Sequence, residues 1–367
     1  MQSKPFFEAL EAITHERGLE KEKVLEVFEK GLLNAYKKHF QTQDVVRVEF
    51  NEDRNEIQMY CDYLVVEEPT GEPNQISLAA ARNERKTIKI GETLTTRISP
   101  KDFGRIAAVS TKQMLTQGLK TLEREKIYEH FRDQEGEMTS AEIVAINKDY
   151  ITLEMMMGLE TSLPRKELLK SDEIRIGSRI KVYVSKVEMT PKGPKVYVSR
   201  NDKNLVKRLI EQMTPEINDG TIEIMGLARD AGSRSKVAVY SHDENVDPVG
   251  AVVGYKGNRI KEVLEALQGE RVDVYAWSND SVELVKNAMA PARVHAINTD
   301  KKEKTALVIV EDIDFTSAIG SKGQNVRLAA QSSGYKIDIK SISDAAELDI
   351  DYTPLSEEGD EDADETT

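Results

Sequence analysis

Cysteine is almost missing from these 367 residues. The single one, Cys61, excludes an intramolecular disulfide and any multi-cysteine zinc site. Histidine is nearly as sparse: His15, His39, His130, His242 and His295 are scattered with no i, i+4 pair, so metal catalysis has nothing to stand on. No apolar run approaches the ~18 residues that a membrane span needs, which predicts no membrane contact. The opening MQSKPFFEALEAITHERG lacks the apolar stretch and small-residue cleavage site of a secretory signal, so the expected compartment is the cytoplasm. Nucleotide-binding glycine patterns are absent too. Gly250-Ala-Val-Val-Gly254-Tyr-Lys256 lacks the spacing that cradles a triphosphate, and no Gly-x-Gly-x-x-Gly occurs. No cofactor or metal is expected, and no nucleophile elbow supports a Ser-His-Asp set.

Charge is abundant but unevenly placed. There are 51 Lys and Arg against 65 Asp and Glu, a net charge of -14. Residues 346–367 hold ten acids and no Lys or Arg, and residues 1–81 hold nine basic and sixteen acidic side chains. Residues 82–130 reverse this, with eleven basic and six acidic. An acidic total therefore does not exclude nucleic acid; the middle can bind phosphate while the ends suit basic partners. With 39% hydrophobic and 32% charged residues, the chain should form several small domains rather than one large core.

Helical spacing runs through the first forty residues (Phe6, Phe7, Leu10, Ile13, then Val24, Leu25, Phe28, Leu32, Ala35, Tyr36). Residues 44–66 alternate as two strands around an Asn-Glu-Asp-Arg-Asn turn, and Pro69, Gly71 and Pro73 break the chain. A long helix is expected from Phe103 to Phe131, with a mixed basic face. Residues 136–200 read as five short strands, which suits a small closed barrel of the OB type. Tyr150, Tyr183 and Tyr197 alternate there with Lys148, Arg179, Lys181, Lys195 and Arg200. Stacking rings beside cations serve a single-strand binder, although some of these tyrosines can equally fill the barrel.

An internal repeat is the most informative feature. Val253-Gly254-Tyr255-Lys256-Gly257-Asn258-Arg259-Ile260 is matched 66 residues later by Ile319-Gly320-Ser321-Lys322-Gly323-Gln324-Asn325-Val326. Each copy has a short helix, a Gly-x-Lys-Gly turn, an amphipathic helix, a glycine stop and an alternating strand, Arg271–Val274 or Lys336–Ile339. Paired glycines let the backbone bend sharply and approach a ligand closely. The following helix directs unpaired N–H groups and its positive dipole end at that ligand, and the lysine adds a mobile cation. This is the way KH modules grip the backbone of about four single-stranded nucleotides. One such turn is weak evidence; two with matching flanks are strong.

Residues 222–260, NAMAPARV at 287–294 and AIGSKGQNVRLAAQSSG at 318–334 resemble the KH pair of the NusA family of bacterial transcription factors. ISLAAARNERKTIKIGETL and FGRIAAVSTKQML resemble that family's N-terminal domain. The resemblance implies a multidomain α+β chain. Its parts are an N-terminal helical and β domain that binds RNA polymerase (1–133), a five-stranded OB-fold barrel (134–200), two tandem KH domains (201–280 and 281–345) and a short disordered acidic tail (346–367). It implies a non-enzymatic elongation factor that modulates pausing, intrinsic termination and antitermination. The implied partners are the RNA polymerase core and nascent single-stranded RNA, with other antitermination factors and ribosomal proteins beside them. Gly254, Tyr255, Lys256 and Gly257 are expected to hold phosphates, helped by Asn258, Arg259 and Lys261. Gly320, Ser321, Lys322, Gly323, Gln324, Asn325 and Arg327 should repeat this in the second module. Arg229, Arg234 and Lys236 are candidates for further phosphate contacts, against the plainer view of 226–236 as a strand connector. Lys181 and Arg105 are candidates for RNA or polymerase contact, and residues 1–40 and 100–131 for docking on polymerase. Glu8, Glu11, Glu16, Glu20, Glu22 and Glu26 suit a basic surface or simply solvate two helices. The rival classes are an RNA-processing or ribosome-associated OB/KH module and a metal-dependent nuclease; the latter would need an acidic metal cluster that no motif supplies.

Overall fold

A computed structural model of the chain describes residues 4–98 and 100–355, except the side chains of Pro5, His39 and residues 100–115. Two compact units divide after His130, with the segment Glu188–Pro194 belonging to the first.

The first unit begins with α1 (Lys4–Arg17) and α2 (Lys21–Phe40), followed by β1 (Val46–Asn51), β2 (Glu56–Val66), β3 (Gln75–Ser77), α3 (Leu78–Glu84) and β4 (Thr93–Arg97). The long helix α4 (Pro100–Arg132) comes next. β2 is the hub of its sheet, antiparallel to β1 and β4 and parallel to β3. Period-3.6 apolar positions on α1 and α2 (Phe7, Leu10, Val24, Phe28, Leu32) meet the inward period-2 positions Val46, Ile57, Met59 and Cys61. α4 closes on α2 through Gly118, where a Cβ would lie 1.9 Å from Val27 Cγ1. The acidic residues Glu8, Glu11, Glu16, Glu20, Glu22 and Glu26 all face solvent.

The second unit opens with β5 (Met138–Ile146), β6 (Tyr150–Glu154), β7 (Glu160–Pro164), β8 (Arg179–Thr190) and β9 (Gly193–Ser199). Their order is β7-β6-β5-β8-β9. Alternate side chains, among them Ile143, Ile151, Leu153, Leu163, Val182 and Val184, are wholly buried inside. The ends β7 and β9 are tied by the Thr161 hydroxyl, which donates to the Val196 carbonyl. The result is a nearly closed OB barrel.

Two copies of one module follow. The first comprises α5 (Lys203–Met213), α6 (Pro215–Asn218), β10 (Ile222–Asp230), β11 (Arg234–Ser241), α7 (Pro248–Val253), α8 (Asn258–Ala266) and β12 (Arg271–Ala276). The second comprises α9 (Ser281–Met289), β13 (Ala296–Asp300), β14 (Thr305–Val310), α10 (Phe315–Ile319), α11 (Gln324–Ser333), β15 (Lys336–Ser341) and α12 (Ile342–Glu347). In each sheet the first pair is antiparallel and the second parallel, as the long helical crossover requires. Each central strand serves two layers. On β11, Val237 and Val239 face their own helices while Ala238 faces the second module; on β14, Val308 and Val310 face inward while Leu307 and Ile309 face outward.

The outward face of β14 overturns one expectation. Residues 346–355 are not part of a tail: Ile342, Ala345, Ile350 and Tyr352 cover Leu307 and Ile309. Leu355 N–H donates to the His295 carbonyl at 2.9 Å, and Pro354 bridges Ala296 on the edge of the sheet. Acidic composition masked Ile350 and Tyr352, which the otherwise uncovered sheet face half-buries, and Leu355, which packs against the module's own core. The remaining twelve residues, 356–367, lie outside the described residues.

Candidate nucleic-acid interface

The two Gly-x-Lys-Gly turns are copies in backbone as well as in sequence. Gly254 and Gly320 have φ/ψ of 76/170° and 75/170°, Lys256 and Lys322 have 51/29° and 53/32°, and Gly257 and Gly323 have 73/19° and 73/20°. In each, the second glycine N–H donates to the carbonyl of the first, at 3.0 and 3.1 Å. The first glycine is required by crowding. A Cβ there would lie 2.4 Å from Asn258 Oδ1 in one turn and 2.8 Å from the backbone nitrogen of Asn325 in the other. At Gly323 a Cβ would meet nothing, so that side of the turn is open.

The middle residues project outward. Tyr255 is 80% exposed, and Lys256, Ser321 and Lys322 are exposed as well. Lys256 Nζ lies 5.4 Å from the Tyr255 ring centre. The N-cap of each following helix is a glycine without a side-chain hydrogen bond, so the first N–H groups of α8 and α11 have no side-chain acceptor. Free backbone donors, a helix dipole and an exposed lysine together form an anion cradle.

Several residues expected to touch phosphate do other work. Asn325 is 2% exposed, and its Nδ2 donates to the carbonyls of Met289 (3.1 Å) and Ala318 (3.0 Å). Arg259, at the equivalent position of the first turn, donates to Ala251 O (2.6 Å) and Glu216 Oε2 (2.9 Å). Both brace the turn from behind. Arg229 is buried against Glu270 at 2.8 Å, and Glu270 also accepts from Ser235 Oγ (2.7 Å) and Gly232 N–H (2.8 Å). Lys236 is 1% exposed and donates to Ala290 O at 2.6 Å; burial pushes its ammonium down to about 8, against the pull of Asp273. Arg234 pairs with Asp273 on the neighbouring strand. Residues 226–236 are thus the strand connector of the plainer view: two strands joined by a tight turn, with their cations committed to carboxylates and carbonyls.

Asn258 and Lys261 are exposed beside the first turn, and Gln324 and Arg327 lie on the first turn of α11. Lys181 is half-buried on β8, where its carbonyl accepts from Arg200. Arg105 lies on α4, and its side chain falls outside the described residues. On the barrel, Tyr150 and Tyr197 are exposed, and Lys195 Nζ sits 4.7 Å from the Tyr197 ring. Tyr183 instead packs between barrel and first module, its hydroxyl accepting from Asn204 at 3.4 Å.

The barrel and both modules are welded into one arm by contacts that no motif advertises. Arg200, 0% exposed, makes a forked pair with Asp172 (2.8 and 2.6 Å) and reaches the carbonyls of Lys181 and Ala266. Tyr275 OH, whose phenol burial pushes up to about 12, donates to Ser332 Oγ at 2.8 Å across the two modules. Gly226 lets the Ser332 carbonyl approach β10, where a Cβ would stand 2.0 Å from that oxygen. Among the described residues no group of three His, Cys, Asp or Glu is placed to hold a metal, and no helix is long and apolar enough to cross a membrane.

An OB barrel fused to two KH modules with open Gly-x-Lys-Gly turns has the architecture of an RNA-binding protein. Comparison with known proteins makes this specific. The NusA N-terminal domain family matches residues 5–125, the S1 RNA-binding domain 132–199, the NusA-like first KH domain 200–277 and the NusA-like second KH domain 281–347. A protein named transcription termination/antitermination protein NusA from Bacillus subtilis is 40% identical over 98% of this chain and 96% of its own. Its namesake from Halalkalibacterium halodurans is 40% identical over 94% and 90%, and that of Thermus thermophilus 37% over 91% and 89%. The chain belongs to the NusA family, the transcription termination/antitermination factors. These are non-enzymatic RNA-binding proteins that work with RNA and the transcription machinery.

Proposed function

We propose that this chain binds the core of RNA polymerase through its N-terminal domain, residues 1–133, and holds the emerging single-stranded transcript on its arm. The arm comprises the barrel (134–200), the first KH domain (201–280) and a second KH domain that starts at 281 and extends to 355. Pausing, intrinsic termination and antitermination are modulated by where that arm keeps the RNA. Gly254, Tyr255, Lys256 and Gly257, with Asn258 and Lys261, receive one stretch of backbone. Gly320, Ser321, Lys322 and Gly323, with Gln324 and Arg327, receive the next. Docking on polymerase falls to helices within 1–40 and 100–131, where the exposed acidic side chains of α1 and α2 suit a basic surface. Other antitermination factors and ribosomal proteins are secondary partners, and the setting is the cytoplasm.

The observation that carries this proposal is the duplication of an open, positively charged turn with matching backbone angles on one arm. Replacing Tyr255, Lys256, Ser321 and Lys322 together by Asp places negative charge where phosphate should sit. Fluorescence anisotropy with an unstructured RNA should then show affinity falling at least about tenfold at low salt. The melting temperature should not move, because the replaced side chains are exposed. Wild-type affinity in that variant contradicts the assignment.

A further inference from the structure

The two turns carry cations at equivalent positions, four residues past the second glycine: Lys261 after Gly257 and Arg327 after Gly323. Their surroundings differ. Lys261 is exposed and makes no ion pair among the described residues. Arg327 leans out of the second module and donates from Nη2 to Asp230 Oδ2 of the first, at 3.0 Å. Gln324, three residues earlier on the same face of α11, donates to that same Oδ2 at 2.6 Å and to Ser233 Oγ at 2.8 Å. One carboxylate oxygen therefore collects both outward side-chain donors from the first turn of a helix whose N-terminus is an anion cradle. A phosphate oxygen of RNA crossing that turn would make the same contacts.

We propose that Asp230 is an internal competitor for RNA phosphate beside the second turn, so that the two KH modules bind unequally: both turns are open, but the flanking donors of the second are latched. This rests on the RNA-binding role of the turns argued above. The latch is of the displaceable kind. The side chains of Arg327 and Asp230 are 54% and 40% exposed, so water and salt screen the pair and it is weak. The buried pairs of the same arm, Arg200–Asp172 and Arg229–Glu270, are 2% exposed or less, and a ligand cannot exchange them. Asp230 also stands at the end of β10 beside the turn into β11, where its carboxylate reaches over to the other module. RNA crossing the second turn must evict it to use Arg327 and Gln324, and those two side chains add their grip only then.

Anisotropy titrations of an unstructured single-stranded RNA against the full chain, across a series of salt concentrations, test this. Asp230→Asn should tighten binding by roughly two- to fivefold at low salt. It should also steepen the slope of log affinity against log salt by about 0.7, the signature of one more phosphate contact. Adding Arg327→Gln to Asp230→Asn should remove that gain. In the wild-type background Arg327→Gln should cost less affinity than Lys261→Gln, because the arginine is already occupied. Unchanged or weaker binding by Asp230→Asn, or a gain that survives Arg327→Gln, overturns the latch. The variant carrying Asp at both middle positions of each turn separates the two claims. If it loses RNA while Asp230→Asn behaves as wild type, the latch fails and the turns stand; if it keeps RNA, the turns themselves fail.

Discussion

At the scale of single residues, the two glycines of each turn serve different ends, and substitution should tell them apart. Gly320 has the glycine-only backbone of φ 75°, ψ 170°, and a Cβ there meets the Asn325 backbone nitrogen. Gly320→Ala should therefore cost about 3 kcal/mol or more of stability, while Gly323→Ala, strained but unobstructed, should cost about 1–2 kcal/mol. Urea denaturation of the two variants checks the order. A second residue-scale outcome concerns Lys236, whose folded-state value of about 8 lies below the 10.5 of an unhindered lysine. The folded chain thus binds fewer protons than the unfolded chain between those limits. Stability should rise there with pH, by up to about 1.4 kcal/mol per unit from this group. Lys236→Met should lose that slope whatever the offset between the two curves.

These positions also show what the sequence could and could not disclose. The turns were legible because a pair of glycines around Tyr-Lys or Ser-Lys, repeated with its flanks, leaves few other structures. In the sequence the residues after the turn look like one outward group, but α11 rotates about 100° per residue. Gln324 and Arg327 stay outward while Asn325 joins the buried side with Leu328 and Ala329. A basic run such as Arg229, Arg234 and Lys236 looks like a phosphate site until Glu270 and Asp273 are seen to answer it. Those partners lie 37 to 41 residues away, beyond the reach of any local pattern.

At the scale of elements, strands and helices followed their periodicities closely, because alternating and 3.6-residue spacing report directly on which face is buried. α1, α2, the β1–β2 hairpin, α4 and the five barrel strands all lie where those patterns run. The exception is the segment after β15. α12 and residues 349–355 do for the second KH sheet what α9 and α11 do for the first, covering its outer face. Such a terminal cap is what keeps a stacked array from ending in exposed hydrophobic surface. Replacing Ile350 and Tyr352 together by Asp should uncover Leu307 and Ile309 and lower stability by about 2–4 kcal/mol. Protection of the β13–β14 amides, read by hydrogen exchange, should fall before that of the barrel.

At the scale of the whole molecule, the central claim is that the arm meets the transcript through both open turns while the chain is on polymerase. The most direct measurement is photocrosslinking from 4-thiouridine placed along the nascent RNA of a halted elongation complex, with the chain bound and the crosslinked peptides identified. The account predicts crosslinks within 254–261 from one RNA position and within 320–327 from a neighbouring one, both abolished by Asp at the four middle turn positions. Crosslinks confined to other surfaces, in complexes where the chain is present on polymerase, would contradict it.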